Sequence, residues 1–245
     1  MLIDIHSHLD MCKDIKKIID NAKKNNVGIV LNCGVDIKSN KKTLELSENF
    51  KEVKAALGIY PADGLKLSES EIGSEIDFIK KNREKVKAIG EVGMDLHHIK
   101  LLGKQKEIFE KFIRLAKELN KPLIVHSRKA EEETVKLLER HNCKKVIMHC
   151  FSGNKELVKR IIKNKWFLSI PCIVKYSEHF QNIVKIAPIE QLFCETDSPF
   201  LHPDKKRNNE PSNIIEAYKK IAEIKSLSMK EAERSIEENY IRLFG

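Results

Sequence analysis

The chain has 245 residues, of which 33% are charged and 41% hydrophobic, a balance that excludes a disordered or fibrous protein and suffices for a sizeable core. A range of ~100–200 residues per domain allows one large domain or two small ones. The formal net charge of +9, from 45 basic against 36 acidic residues, favours anionic partners such as nucleic acid, although the lysines are scattered and form no long basic block.

The first apolar run, LIDIH (2–6), leads into His6-Ser7-His8. In a strand, residues i and i+2 share a face, so His6 and His8 project together while Ser7 turns away. Such a pair suits two ligands of one metal ion, and equally two surface histidines at a strand end. VGIVLNC (27–33) and VKAALGIY (53–60) are the second and third runs, and VKAIGEVG (86–93), carrying Glu91, is the fourth. In QKEIFEKFIRLAKELN (105–120), Ile108, Phe109, Phe112, Ile113, Leu115, Ala116 and Leu119 recur at spacings of three and four, which predicts an amphipathic helix. PLIVHS (122–127) carries His126, KVIMHC (145–150) carries His149, WFLSIP (166–171) follows, and QLFCETD (191–197) ends on Asp197. Two more helical patterns, SNIIEAYKKIAEIKS and MKEAERSIEENYIRLFG, complete the chain.

β-rich runs alternating with helical segments predict βαβ units and a parallel sheet. Strands buried on both faces need near-continuous apolar runs, and these have them. Eight repeats in this length fit an α/β protein of the (β/α)8 TIM-barrel type, which takes roughly 250 residues, over an open doubly wound sheet. Residues 1–245 read as a single domain, since no linker or low-complexity tract interrupts them. Cys12, Cys33, Cys143, Cys150, Cys172 and Cys194 form no CxxC pair. With no signal-peptide pattern and no apolar run near the ~20 residues that span a bilayer, the expectation is a cytoplasmic protein with reduced thiols and no membrane contact. No obligate protein partner is evident.

His6, His8, Glu91, His126, His149 and Asp197 all fall at the C-terminal ends of predicted strands. In a barrel those ends converge on the active-site face. Singly, each has an ordinary explanation: a hydrogen-bonded or surface histidine, a capping glutamate, an aspartate opening a turn before Ser-Pro. Together they form an imidazole and carboxylate set for Zn²⁺, Mn²⁺ or a similar ion. Six ligands exceed the needs of one tetrahedral ion and suffice for two, about 3.5–4 Å apart and sharing a carboxylate. Glu91, between the strand-one pair and His126/His149, is the natural bridge. The expected cofactors are two divalent ions per subunit: Zn²⁺ suits the histidines, while phosphoryl transfer often runs on Mg²⁺ or Mn²⁺.

At these residues the chain resembles the TatD family of metal-dependent deoxyribonucleases, within the amidohydrolase superfamily. The similarity runs nearly end to end, through DIHSHLD, LNCGVD, GIYP, AIGEVGMD, QKEIFEKFIRLAKELNKPLIVHSRKA, MHCFSG, ETDSPFLHP and ENYIRLFG. It implies a metal site at the C-terminal face, with His6, His8, bridging Glu91 and Asp197 around one ion and His126, His149 and Glu91 around the second. It implies hydrolysis of DNA phosphodiester bonds, often from the end of single strands. Three departures touch the surroundings and none of the proposed ligands: Tyr60 where the family often has His, Leu96-His97-His98 where it often has an aromatic pair, and an atypical run seven.

The mechanism expected from this set has two ions polarising a water and a phosphate, with Asp197 taking the water's proton as general base and Glu91 bridging. Arg128, two residues after His126, is placed to fork onto a phosphate oxygen, or else to pair with a loop carboxylate. Lys205, Lys206 and Arg207 follow Asp197 in a loop where such barrels often bind phosphate; a solvated charge run is the plainer reading. The alternatives are an amidohydrolase-type enzyme acting on a small ester, lactone, amide or phosphotriester, and a metal- or nucleic-acid-binding protein without turnover.

Overall fold

The computed structural model describes residues 1–245. The strands are β1 (Leu2–Ser7), β2 (Val27–Cys33), β3 (Val53–Leu57), β4 (Val86–Gly93), β5 (Leu123–His126), β6 (Val146–Met148), β7 (Phe167–Pro171) and β8 (Leu192–Glu195). The helices are α1 (Ile15–Lys24), α2 (Ile37–Asn49), α3 (Pro61–Gly64), α4 (Glu69–Lys81), α5 (Leu102–Glu118), α6 (Glu131–Arg140), α7 (Lys155–Lys163), α8 (Glu178–Ile186), α9 (Ile215–Lys225) and α10 (Met229–Phe244).

The strands pair in parallel in the order β1 to β8. β8 meets β1 through a single Ser7–Ser198 bridge, with the Asp197 amide donating to the His6 carbonyl at 2.9 Å and the His8 amide to the Ser198 carbonyl at 2.7 Å. Lower in this seam, Asp4 accepts from the Thr196 amide at 2.9 Å and its hydroxyl at 2.5 Å. The architecture is the expected (β/α)8 barrel, closed by the two segments that carry the first histidine pair and Asp197.

Local chemistry explains where the helices start. Asp36 with Ser39, Ser68 with Glu71, and Ser228 with Glu231 form capping boxes at α2, α4 and α10, which satisfy amides that the first helical turn leaves unpaired. α5 buries the predicted face: Ile108, Phe109, Phe112, Ile113, Leu115 and Ala116 are buried, and Leu119 at its C-cap is half-buried. The strands are buried along almost their whole length, as a sheet covered by helices requires. All six cysteines are free, with Cys33, Cys143, Cys172 and Cys194 buried. No helix is long and apolar enough to cross a membrane.

Several strands stop earlier than their apolar runs. β3 ends at Leu57, β6 at Met148 and β8 at Glu195. At the rim some loop residues bond to one another, as the Tyr60 amide does to the Val35 carbonyl at 2.8 Å, while others bond to a neighbouring strand, as the His149 amide does to the Val125 carbonyl of β5 at 3.0 Å. His149 and Asp197 therefore stand one and two residues beyond their strands, still on the C-terminal face.

Candidate metal centre

Alternation along β1 sends Leu2, Asp4 and His6 to one face, and His8 continues that line just past the strand. The two imidazoles meet with their Nε2 atoms 3.1 Å apart. Glu91 Oε2 lies 3.4 Å from each of these nitrogens, and Asp197 Oδ1 3.5 Å from each. Five of the distances among these four donor atoms thus lie between 3.1 and 3.5 Å, the separation expected of neighbouring ligand atoms that each sit about 2.0–2.2 Å from one Zn²⁺-sized ion. The donor set thus fits one small divalent ion.

The other carboxylate oxygen of Glu91, Oε1, lies 2.8 Å from His126 Nδ1. Ligand atoms of Glu91, His126 and His149 all fall within 4.8 Å of one another. Glu91 therefore faces two donor groups with two different oxygens, an arrangement open to a bridging carboxylate. Two backbone features allow this. Gly93, at φ 145°, packs so tightly on the His126 carbonyl that a Cβ would overlap it, which lets the ends of β4 and β5 close up. Asp197 adopts a left-handed conformation, φ 52°, which Asp tolerates better than most residues and which accompanies its amide bond to the His6 carbonyl.

Three of the four histidines are oriented from behind. His8 Nδ1 faces the Cys33 carbonyl at 2.9 Å, His149 Nδ1 faces Glu195 Oε2 at 2.8 Å, and His126 Nε2 faces Asp95 Oδ2 at 3.1 Å. When each of these nitrogens donates its proton outward, the opposite nitrogen offers a lone pair to a metal, and that is how ligating histidines are held. Asp95 is fixed in turn by the Tyr60 hydroxyl at 2.5 Å and by the His97 and His98 amides at 2.8 and 3.0 Å. Ser169, from β7, donates to Glu195. His6 differs: its ring stacks on His149 with centroids 3.7 Å apart, and its buried Nδ1 has no partner, nor has the buried Glu195 Oε1.

The electrostatics agree with a cation-binding site. Burial pushes Glu91 upward, but bonds from His126, His6 and His8 outweigh it and hold the carboxylate well below its ordinary value. Asp197 is likewise held down, burial being outweighed by His8. Burial disfavours charge on His8 and His126, yet Asp197 and Glu91 raise the first well above its usual value, and Asp95 with Glu91 raise the second to about 9. Without metal, protons on these two rings supply the positive charge that the carboxylates demand. Burial lowers His6 and His149 and keeps them neutral.

The donors open into a cavity of about 340 Å³ whose lining includes His126, Arg128, His149, Ser152, Asp197 and Leu201. Arg128 is exposed and makes no ion pair, leaving its guanidinium free beside the donors. Lys205, Lys206 and Arg207 are exposed; Lys205 lies 4.8 Å from the centre of the Tyr176 ring and Lys206 3.9 Å from Asp204. That segment is largely a solvated run and is not drawn into the donor cluster. Asp95, Glu195 and Tyr60 were not singled out as orienting groups from the sequence. A signal was present for two of them, because Asp95 and Glu195 are acids in the same GEVGMD and CETDSP stretches as Glu91 and Asp197.

Residues 3–245 match the family model described as TatD related DNase. An uncharacterized metal-dependent hydrolase, YabD, of Bacillus subtilis is 36% identical over 256 residues, covering 100% of this chain and 99% of that protein. Deoxyribonuclease TATDN3 of Homo sapiens is 33% identical over 258 residues, covering 99% of this chain and 94% of its own. The crystal structure of YJJV, a TatD homologue from Escherichia coli, superposes with a TM-score of 0.94 at 23% identity, over 99% of this chain and 97% of that one. The chain belongs to the TatD family of metal-dependent hydrolases.

Proposed function

We propose that residues 1–245 act as one unit, a deoxyribonuclease that hydrolyses DNA phosphodiester bonds with two divalent ions. The observation that carries this reading is the spacing of 3.1–3.5 Å from the His6 and His8 Nε2 atoms to each other and to Glu91 and Asp197, with the second oxygen of Glu91 turned to His126. His6, His8, Glu91 and Asp197 would hold one ion, and Glu91, His126 and His149 the other. Bound there, such ions supply Lewis-acid polarisation of a water and of the phosphate.

The chain's own residues do the rest. Asp197 lines the cavity, and its side chain is 15% exposed against 4% for Glu91. Held ionised by His8, it accepts the proton of the attacking water. Arg128, free of ion pairs in the same cavity, forks onto a non-bridging phosphate oxygen. A cavity of about 340 Å³ is at the small end for ligand sites, which suits a strand end over an intact duplex. A human relative named as a deoxyribonuclease supports the choice of substrate.

The test is a nuclease assay on protein stripped of metal and resupplied with Mg²⁺, Mn²⁺ or Zn²⁺. Substrates are end-labelled single-stranded DNA, duplex DNA and RNA, with Asp197→Asn in parallel. Stepwise loss from one end of DNA, absent in the variant, supports the proposal. Binding of both ions without cleavage of any nucleic acid would move the reading to hydrolysis of a small ester, lactone, amide or phosphotriester.

A further inference from the structure

Six large apolar side chains are exposed, and four of them, Met11, Leu101, Tyr176 and Phe200, lie on loops after β1, β4, β7 and β8. They surround the face that carries the donors. Phe200 pairs edge to face with one of the donors, His8. It is 51% exposed, belongs to no part of the buried core, and its ring lies 6.2 Å from that of His8 at an interplanar angle of 66°.

Its backbone is held firmly although its ring is half in water. The Phe200 amide donates to the Asp197 carbonyl at 2.8 Å. The buried side chain of Asn209 donates to the Thr196 and Leu201 carbonyls at 2.8 and 3.3 Å, and the Asn209 amide donates to the Pro199 carbonyl at 2.9 Å. Pro199 lines a cavity of about 300 Å³ with Met11, Cys12 and Asn208. Leu201 lines the 340 Å³ cavity that holds Arg128, His149 and Asp197. Phe200 thus sits in the chain between a residue of each cavity, with its ring beside His8.

A phenyl ring brings neither charge nor a hydrogen bond to that position; it brings a flat apolar face. Beside a centre that holds a phosphodiester, the flat group within reach is the base of the same nucleotide. We infer that Phe200 is the platform on which the nucleobase adjoining the scissile phosphate stacks. This rests on the nuclease reading above. Because every base has a π-face, the platform confers little preference among the four bases.

The experiment compares wild type, Phe200→Ala and Phe200→Trp on single-stranded oligonucleotides of one length, intact or with an abasic tetrahydrofuran residue at either end. Cleavage gives kcat/KM, and fluorescence anisotropy on the same variants in an Asp197→Asn background gives affinity without turnover. Stacking of this kind is worth about tenfold per base. Phe200→Ala is expected to weaken binding and lower kcat/KM about tenfold on the intact strand and less than twofold on the abasic one, while Phe200→Trp retains both. Equal losses on intact and abasic strands, or no loss on either, overturn the platform and leave the nuclease reading standing. Failure of the wild type to cleave any oligonucleotide under any metal overturns both.

Discussion

Asp95→Asn tests whether His126 is a ligand through Nδ1. In the structure, His126 Nε2 faces Asp95 Oδ2 at 3.1 Å and His126 Nδ1 faces Glu91 Oε1 at 2.8 Å. A carboxylate at 95 accepts the Nε2 proton and leaves Nδ1 free to bind a metal. An amide that keeps its oxygen toward the His97 and His98 amides, now 2.8 and 3.0 Å from Asp95 Oδ1, must turn its NH₂ toward His126. The ring then holds its proton on Nδ1, where the metal lone pair is needed. The loss of such an orienting partner costs about 10- to 100-fold in metal affinity, or roughly 1.4–2.7 kcal/mol. The change should be confined to the Glu91, His126 and His149 group, since His6, His8 and Asp197 do not contact Asp95. Competitive titration with a chromophoric chelator should show one site unchanged and one weakened by that factor. Two sites of wild-type affinity in a folded Asp95→Asn protein would refute the reasoning.

Other substitutions separate the roles within the cluster. Asp197→Asn should lower kcat by about 10²–10⁴ while metal analysis still finds ion in the protein; wild-type turnover from a preparation free of contaminating nuclease would remove Asp197 as the base. His126→Ala should reduce the metal-to-protein ratio from two toward one, and an unchanged ratio would count against its assignment as a ligand. The His126 pKa of about 9 and the raised His8 mean that metal must displace protons, so apparent affinity should rise with pH up to about 9, near tenfold per unit for each proton released; a flat profile from pH 6 to 9 would contradict this. Burial raises Asp4 from 3.8 to about 8, so its contribution to stability is complete below pH 3.8 and is lost as pH rises toward 8. Asp4→Asn keeps an acceptor for the Thr196 and His6 amides, and its Tm relative to wild type should therefore improve from pH 5 to about 8 and level off above that; a constant difference would show that Asp4 is not held neutral.

How much of this centre the sequence discloses depends on which interaction places each residue. Period-two alternation along one strand is enough to bring His6 and His8 together, and the convergence of strand ends in a barrel is enough to bring Glu91, His126, His149 and Asp197 to the same rim. Those rules act on chain position alone, so the eight strands and the gathering of these six residues on one rim can be read directly. Where the rules stop, strand ends blur: β3, β6 and β8 finish before their apolar runs do, because at the rim the chain is held by bonds to other loops and neighbouring strands that no local pattern encodes. The orienting groups lie beyond that limit for the same reason. Asp95 serves His126 across 31 residues and Glu195 serves His149 across 46, contacts set by the register of neighbouring strands and by close backbone packing such as that at Gly93. Tyr60 shows the consequence. As a departure from the family pattern it leaves one polar contact near the site open, and in the structure its hydroxyl reaches Asp95 at 2.5 Å and lies 3.4 Å from His126 Nε2. The phenol thus buttresses the carboxylate that orients His126. His97 and His98 act similarly through their amides, which any residue but proline could supply, and the His98 ring adds an approach of its Nε2 to Asp95 Oδ2 at 3.9 Å. Substitutions in this family are therefore best judged by the atom that makes the contact. A change of side chain behind a backbone donor should leave the cluster intact, whereas the loss of a single carboxylate oxygen at 95 should reverse which nitrogen of His126 carries the lone pair offered toward Glu91 and His149.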